Sequence, residues 1–392
     1  MSIYTSKKLV YLDNAASTAI DPLVKKEIIK STDLFGNPSS FNDSGRIARK
    51  SLEESRNFIA RFIGAKSGEI VFTGSGSESN NLAILGLANS FSKPKVMITT
   101  PIEHPSVLEP MRELAKKGWD IKYVKVDSEG IVNVDDLINK LKPGVCLVSV
   151  MLANNEIGSV QPINKLGRAI KDFKEKNGSK FPLFHVDACQ AVGFLKVNVN
   201  NLGADLVTFN GTKIHGPKGI GVLYIRQGTI LQPLILGGGQ ENGLRAGTEN
   251  LPAINGLARA LRIINLKDAT RVSKLRDFFI SSIGSSMPEV KINGPLGEKR
   301  LANNINISFS GVSSENILLE LDKYRISASS GSACTAHSVE PSHVLKAIGL
   351  EKKYLNGALR FSLGRQTTKK DMDYVLKILP KVVGELRKRY KR

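Results

Sequence analysis

The sequence predicts an α/β protein with a mainly parallel central sheet covered by helices, plus a smaller α/β domain toward its C-terminal end. Three observations carry this. Strand-like runs alternate with helical stretches from Glu69 to Ile225, the pattern of parallel strands joined by helical crossovers. Several of the runs, Val145–Leu152 above all, are apolar almost without interruption, which marks strands buried on both faces. Near residue 262 the character changes, with Val290–Ile292, Asn304–Phe309 and Ile326–Ala328 reading as short strands among helices.

Taken in order, Tyr11-Leu-Asp-Asn-Ala-Ala-Ser-Thr18 is a short strand entering small polar residues. Asp21-Pro22 opens a helix, the aspartate capping it and the proline tolerated in the first turn. Phe35-Gly-Asn-Pro-Ser-Ser40 is a loop of turn formers, and Arg46–Gly64 has helical periodicity through Ala48, Leu52, Ile59 and Phe62. After the strand Glu69–Thr73, Gly74-Ser-Gly-Ser-Glu-Ser79 leads into a helix beginning at Asn80. Such a turn presents unpaired N–H groups and hydroxyls to an anion. It is neither a Walker A loop nor a dinucleotide glycine pattern.

Lys95–Thr100 is a strand running to Glu103-His104-Pro105, Ile121–Val126 is the next, and Val134–Lys142 is a helix. Val145–Leu152 stops at Asn154-Asn155-Glu156. Beyond helix Ile163–Lys176, the strand Phe181–Asp187 is followed by Ala-Cys-Gln190. Ala204–Phe209 ends at Asn210-Gly211, a turn that presents Lys213 before a second apolar strand up to Ile225. Gly237–Thr248 is a long glycine-rich loop that no core needs. Helices over Pro252–Asn265 and Asp268–Ser285 lead into the smaller domain. There Ser329–Ser338 is a small-residue loop centred on Cys334, Pro341 starts a helix to Ile348, and Leu359–Leu363 is a last strand. The helix from Lys369 is interrupted by Pro380.

Composition bounds the reading. A chain of 392 residues is too long for one small core, and its 41% hydrophobic and 23% charged residues are those of a soluble globular protein. The N-terminal stretch lacks a signal-peptide core, and no apolar run approaches the ~18 residues of a membrane span. Three cysteines, Cys146, Cys189 and Cys334, offer neither a disulfide framework nor metal-ligand spacing, so a reducing cytoplasm is the expected compartment and no metal is expected. Cys146 lies in an apolar run, as packed cysteines do; Cys334 sits where an exposed, reactive thiol is expected. The net charge of +20 raises an acidic or nucleic-acid partner, yet basic residues are spread through the helices and only Arg387–Arg392 is a concentrated run.

In a parallel sheet, ligands bind beyond the carboxyl ends of the strands. Those ends carry the Gly-Ser turn, His104, Asn155, Asp187 with Gln190, and Lys213. An anion cradle, a strand-end carboxylate and a strand-end lysine are the three grips that pyridoxal 5'-phosphate needs. Gly76 and Ser77 are read as its phosphate site, Asp187 as the partner of its pyridine nitrogen, and Lys213 as the Schiff-base amine, which desolvation between buried strands favours. His104 is placed to stack on the ring, and Asn155 and Gln190 to donate to its phenolic oxygen.

On these residues the sequence resembles the cysteine desulfurases of the NifS/IscS type, within the class V aminotransferases. The resemblance runs nearly end to end, through Tyr11-Leu-Asp-Asn-Ala-Ala, Glu103-His104, Asn154-Asn-Glu-Ile-Gly158, His185-Val-Asp-Ala-Cys-Gln190, Lys213-Ile-His-Gly-Pro-Lys-Gly-Ile-Gly221, Arg245-Ala-Gly-Thr-Glu-Asn250 and Arg360-Phe-Ser. Ser329-Ser-Gly-Ser-Ala-Cys334 is similar to the longer loop of the family's first group. The resemblance implies fold type I, with a large cofactor-binding domain over residues 15–261 and a small domain over 1–14 and 262–392 whose loop, about 327–340, carries the cysteine. It implies a homodimer in which Thr248 reaches the phosphate of the other subunit. L-cysteine is the implied substrate, its carboxylate held by Arg360 with Asn155 nearby, its protons moved by Lys213 and His104, and its sulfur taken by Cys334 as a persulfide. Iron–sulfur scaffold proteins or tRNA thiolation are the implied destinations. Selenocysteine lyase and other class V transaminases or lyases are the alternatives. Two departures stand out: Asn210-Gly211-Thr212 replaces the family's usual Ser-Gly-His before the lysine, and Asn42 replaces a common histidine. Asn210 and Thr212 are expected to contact the phosphate in their place.

Overall fold

Seven strands form the sheet on which the rest is laid, in a computed structural model that describes residues 8–331 and 341–390. After β1 (Val10–Tyr11), which pairs elsewhere, come β2 (Ile70–Thr73), β3 (Val96–Thr99), β4 (Asp120–Tyr123), β5 (Val145–Met151), β6 (Leu183–Asp187), β7 (Leu206–Asn210) and β8 (Gly221–Ile225). Their order across the sheet is β2-β8-β7-β6-β5-β3-β4. Neighbours from β7 through β4 are parallel, and β8 runs antiparallel to both β2 and β7. The mainly parallel sheet expected from the sequence is therefore present.

Every residue of β5, β6 and β7 is buried, which explains why these strands do not alternate. Successive side chains point to opposite faces, except at Cys146, where the β3–β5 register shifts by one residue. Val148, Val150, Phe184, Val186, Val207 and Phe209 pack into one core, and Cys146, Leu147, Leu183 and Leu206 into the other. β4 is the exception: it lies at an edge, is exposed at both ends, and carries Asp120 and Lys122, charges that discourage pairing with another chain. Its ladder stops at Tyr123, short of the expected Val126, because Val126 bridges back to Val132 across a turn.

A second, antiparallel sheet follows, in the order β12 (Ala358–Ser362), β10 (Asn304–Phe309), β9 (Val290–Ile292). Helices Leu266–Ser286 and Lys369–Tyr390 cover it, and Ile305, Ile307, Phe309, Phe361, Met372 and Val375 share its core. β1 pairs in parallel with β11 (Ile326–Ser327), which brings Val10 and Leu12 into that same core.

Three helices correct the sequence reading. The helix expected to break at Pro380 runs unbroken from Lys369 to Tyr390. Proline removes one backbone bond, but Leu379 on one side and Val382 and Val383 on the other are buried, so packing on both flanks holds the helix through it. The helix expected from Arg46 begins at Asp43, because Asn42 caps it by accepting from the Gly45 N–H at 2.8 Å. It ends at Ile63, where Gly64 adopts φ 73° and its N–H turns back to Ala60 and Arg61. The helix expected from Asn80 begins at Gly76, with consequences for the site. Among the described residues, no helix is long and apolar enough to cross a membrane.

Candidate active site

The strand ends converge on one cavity of about 290 Å³. β2 supplies its first wall. Ser75 caps the helix Gly76–Ala88, its Oγ accepting from Glu78 N–H at 3.1 Å, so Gly76 and Ser77 occupy the first turn with their N–H groups unspent by the helix. A side chain at Gly76 is excluded, since a Cβ there would lie 2.7 Å from Cys189 Sγ and 2.8 Å from Asn210 Nδ2.

Asp187 ends β6, buried, and accepts from Asn80 Nδ2 at 2.8 Å and from the Cys189 N–H at 2.9 Å. β7 ends at Asn210, and the following turn carries Lys213, whose Nζ donates to the Ala16 carbonyl. Thr18 fastens that turn to the N-terminal segment, donating from its N–H and its hydroxyl to Thr212 O at 3.0 and 2.8 Å. His104 caps the helix Pro105–Lys116 by accepting at Nδ1 from the Ser106 N–H at 3.1 Å. Beyond β5, Asn154 builds the turn, accepting from the Glu156 and Ile157 N–H groups, and so sets Asn155 at the cavity wall.

Arg360, on β12, is 2% exposed. Its Nη2 pairs with Asp13 and its Nη1 with the Asn155 carbonyl, each at 3.0 Å, and its buried Nε has no partner among the described residues. Of the residues singled out in the sequence, Gly76, Ser77, His104, Asn155, Asp187, Gln190, Asn210, Thr212, Lys213 and Arg360 all line the cavity. Thr248 does not line it and is exposed. Cys334 lies outside the described residues. The sequence reading missed Asn80, Ser106, Cys189 and Glu156. Asn80 was findable: it lies one turn after Gly76 on the same helix face. Cys189 looked like a spacer between Asp187 and Gln190, yet its thiol faces the first turn of the helix Gly76–Ala88; burial, reinforced by Asp187, pushes it well above the usual thiol range.

The residues present suit pyridoxal phosphate. The Gly76–Ser77 N–H groups, the Ser77 and Thr212 hydroxyls and the Asn210 amide form a donor set for a phosphate, and Asp187 is a buried acceptor for a ring N–H. Among the described residues, the buried Asn210 Oδ1 has no partner, so the acceptor side of this amide is not used by the fold.

Beneath the cavity, burial raises the Glu103 carboxyl from its ordinary 4.5 to about 8, with Asp187 adding to the rise against donors from Met151 N–H and Thr100 Oγ1. It is thus a neutral acid near neutral pH. Unfolded, it ionises near 4.5, so its contribution to stability is complete below that value and lost as pH rises toward 8. Glu103→Gln mimics the neutral acid. The wild type is expected to lose on the order of a few kcal/mol relative to this variant between about pH 5 and 8, read by urea unfolding at several pH values. Parallel pH profiles for the two proteins would contradict the assignment.

Comparison with known proteins agrees with this geometry. The Aminotransferase class-V family profile matches residues 10–375. A cysteine desulfurase IscS of Dictyoglomus turgidum is 46% identical over 390 residues, covering 97% of this chain and 96% of that protein. A cysteine desulfurase of Nostoc sp. is 42% identical over 383 residues, covering 97% and 94%. Among solved structures, a NifS-like protein superposes with a TM-score of 0.89 at 37% identity, covering 96% of this chain and 100% of that one. SspA in complex with cysteine gives 0.79 at 33%, covering 92% and 100%. The chain therefore belongs to the class V aminotransferases and, within them, to the NifS/IscS-type cysteine desulfurases. These are pyridoxal phosphate enzymes of fold type I.

Proposed function

We propose that this chain removes sulfur from L-cysteine through Lys213 and Cys334, with the balance L-cysteine + enzyme–SH giving L-alanine + enzyme–S–SH. One observation supports this best: Lys213, Asp187, His104, Arg360 and the Gly76–Ser77 turn face a single cavity. Bound there, pyridoxal phosphate supplies an electron sink that labilises bonds at the substrate's carbon atoms. Asp187 holds a proton at the ring nitrogen, and Gly76, Ser77, Asn210 and Thr212 hold the phosphate. Asn155 and Gln190 orient the ring, and Arg360 receives the substrate carboxylate, its Nε, unpartnered among the described residues, marking spare donor capacity. Lys213 would hold the cofactor through its Nζ and would move protons at that atom. His104 stays neutral because burial lowers its pKa, as do the Lys213, His343 and Arg360 charges against the pull of Asp187. Cys334 accepts the sulfur.

In this reading residues 15–261 form the cofactor domain and residues 1–14 with 262–392 the small domain. Two copies form a homodimer in the cytoplasm, Thr248 of each serving the other's phosphate. The sulfur passes to an iron–sulfur scaffold or another acceptor protein, for which the basic segment Arg387–Arg392 is the docking surface. The deciding experiment is Cys334→Ala with labelled cysteine. Persulfide on the protein is expected to vanish while cofactor absorbance stays. Continued alanine release at the wild-type rate would instead mark a transaminase or lyase that does not need this thiol. A preference for selenocysteine over cysteine in the unmodified enzyme would favour a selenocysteine lyase.

A further inference from the structure

One hydrogen-bonded chain in the cavity has no role in the scheme above. It runs from Asp187 through Asn80 and Ser106 to His104. Asp187 as a carboxylate can only accept, so the amide nitrogen of Asn80, 2.8 Å away, must face it. The same nitrogen reaches Ser106 Oγ at 2.8 Å. An amide nitrogen has two hydrogens, and both are thereby assigned. Turning the amide over would set its oxygen against the carboxylate. The orientation leaves Asn80 Oδ1 buried without a partner among the described residues, although Asn80 itself is only 1% exposed. Folds rarely leave such an atom unpaired, which points to the nitrogen side as the one that matters.

With Asn80 donating to Ser106 Oγ, the serine hydroxyl hydrogen is directed to His104 Nδ1, 2.8 Å away. The Ser106 backbone N–H, which can only donate, meets the same Nδ1 at 3.1 Å. Nδ1 therefore carries a lone pair and no hydrogen, and the ring proton sits on Nε2. We infer that Asn80 and Ser106 are positioning residues that carry the polarity of the Asp187 carboxylate to His104 and fix its ring as the Nε2–H tautomer. This rests on the proposed role of His104 beside Lys213. It sharpens that role: Nδ1 is blocked as a base, His104 presents a donor at Nε2, and proton removal falls to Lys213. Among the described residues, the charges of Lys213, His343 and Arg360 also oppose a second proton, whereas Asp187 favours it.

The test is ¹⁵N NMR of histidine-labelled, full-length resting enzyme without substrate. The chain has five histidines, and His104→Gln identifies the resonances by their loss. The wild type is expected to show a protonated Nε2 and an unprotonated Nδ1 throughout the neutral range. Ser106→Ala removes one of two donors to the neutral ring and is expected to raise the His104 pKa by about one unit, with Ser106→Thr restoring it. Asn80→Ala is expected to shift it the same way, and the double variant no further than Ser106→Ala alone. A proton on Nδ1 in the wild type, an unmoved titration in Ser106→Ala, or additive shifts in the double variant would each overturn the inference. The wild-type tautomer decides even where a variant fails to fold. No turnover is read, so a failure here is distinct from a failure of the desulfurase reading, which Cys334→Ala tests.

Discussion

Lys213→Ala is expected to lose turnover almost completely and to leave a protein whose cofactor is held without a covalent bond. The lysine sits in a turn closed on both sides: Asn210 ends a fully buried strand before it, and Ile214 and Gly216 are buried after it. A flexible side chain is thereby confined to the cavity, with Nζ resting on the Ala16 carbonyl. Removing a positioned proton-transfer group costs roughly 10²–10⁴-fold, and the loss of the covalent anchor adds to that. Lys213→Arg keeps a long nitrogen-bearing side chain but presents a guanidinium that stays protonated, so it is expected to be as inactive as the alanine variant. Lys218, five residues on and exposed, is the matched control, and Lys218→Ala is expected to behave as wild type. The measurements are alanine release and the absorbance of the bound cofactor. A Lys213→Ala enzyme within tenfold of wild type would remove this lysine from the mechanism.

Much of this site was legible because parallel sheets place function at strand ends. Once β3, β5, β6 and β7 are recognised as buried runs, the residues that stop them have to meet at one edge. Asp187 and Asn210 end their strands, and His104 and Asn155 follow theirs within a few residues. Arg360 was reached only through resemblance, because it comes from the second sheet, and nothing in its own sequence says which neighbours β12 will face. Asn80 and Ser106 were passed over for another reason. Each looks like an ordinary residue in the first turns of a helix, and its importance lies in a partner: Asp187 is 107 positions from Asn80. Polarity relays of this kind depend on which atom of an amide or hydroxyl faces which neighbour, and residue type leaves that open. Pro380 shows the converse, a local signal overruled by burial on both sides.

Glu241→Ala is expected to be among the most destabilising single substitutions outside the cavity. Arg56 crosses from the helix Asp43–Ile63 to meet Glu241 in a bidentate pair, at 2.9 and 2.8 Å, with side chains only 10% and 2% exposed. The carboxylate also accepts from the Phe72 N–H at 2.8 Å, while the guanidinium donates to the Ile70 carbonyl and lies 4.7 Å from the Phe72 ring centroid. Glu241 therefore depends on Arg56 for its counter-charge, and β2 depends on both. Glu241 holds this place at φ 48°, an unfavourable backbone conformation for a residue with a side chain, and Asn242 follows at φ 57°. Deleting the carboxylate leaves the buried guanidinium only the half-exposed Glu53, 3.1 Å from its Nε, as a counter-charge and strands the Phe72 N–H, a loss of roughly 3 kcal/mol. Replacing both partners, as in Arg56→Leu with Glu241→Leu, removes the charges together and is expected to recover part of it, the Phe72 N–H and Ile70 carbonyl still losing their partners. Urea unfolding of the two single variants and the double gives the coupling directly. The glycine-rich loop that Glu241 pins continues to Arg245, whose Nε holds Glu78 at 3.0 Å in the first turn of the helix Gly76–Ala88. Weakening the pin is therefore expected to lower cofactor affinity in the protein that remains folded. Wild-type stability in Glu241→Ala would show that the loop is held by its other contacts alone.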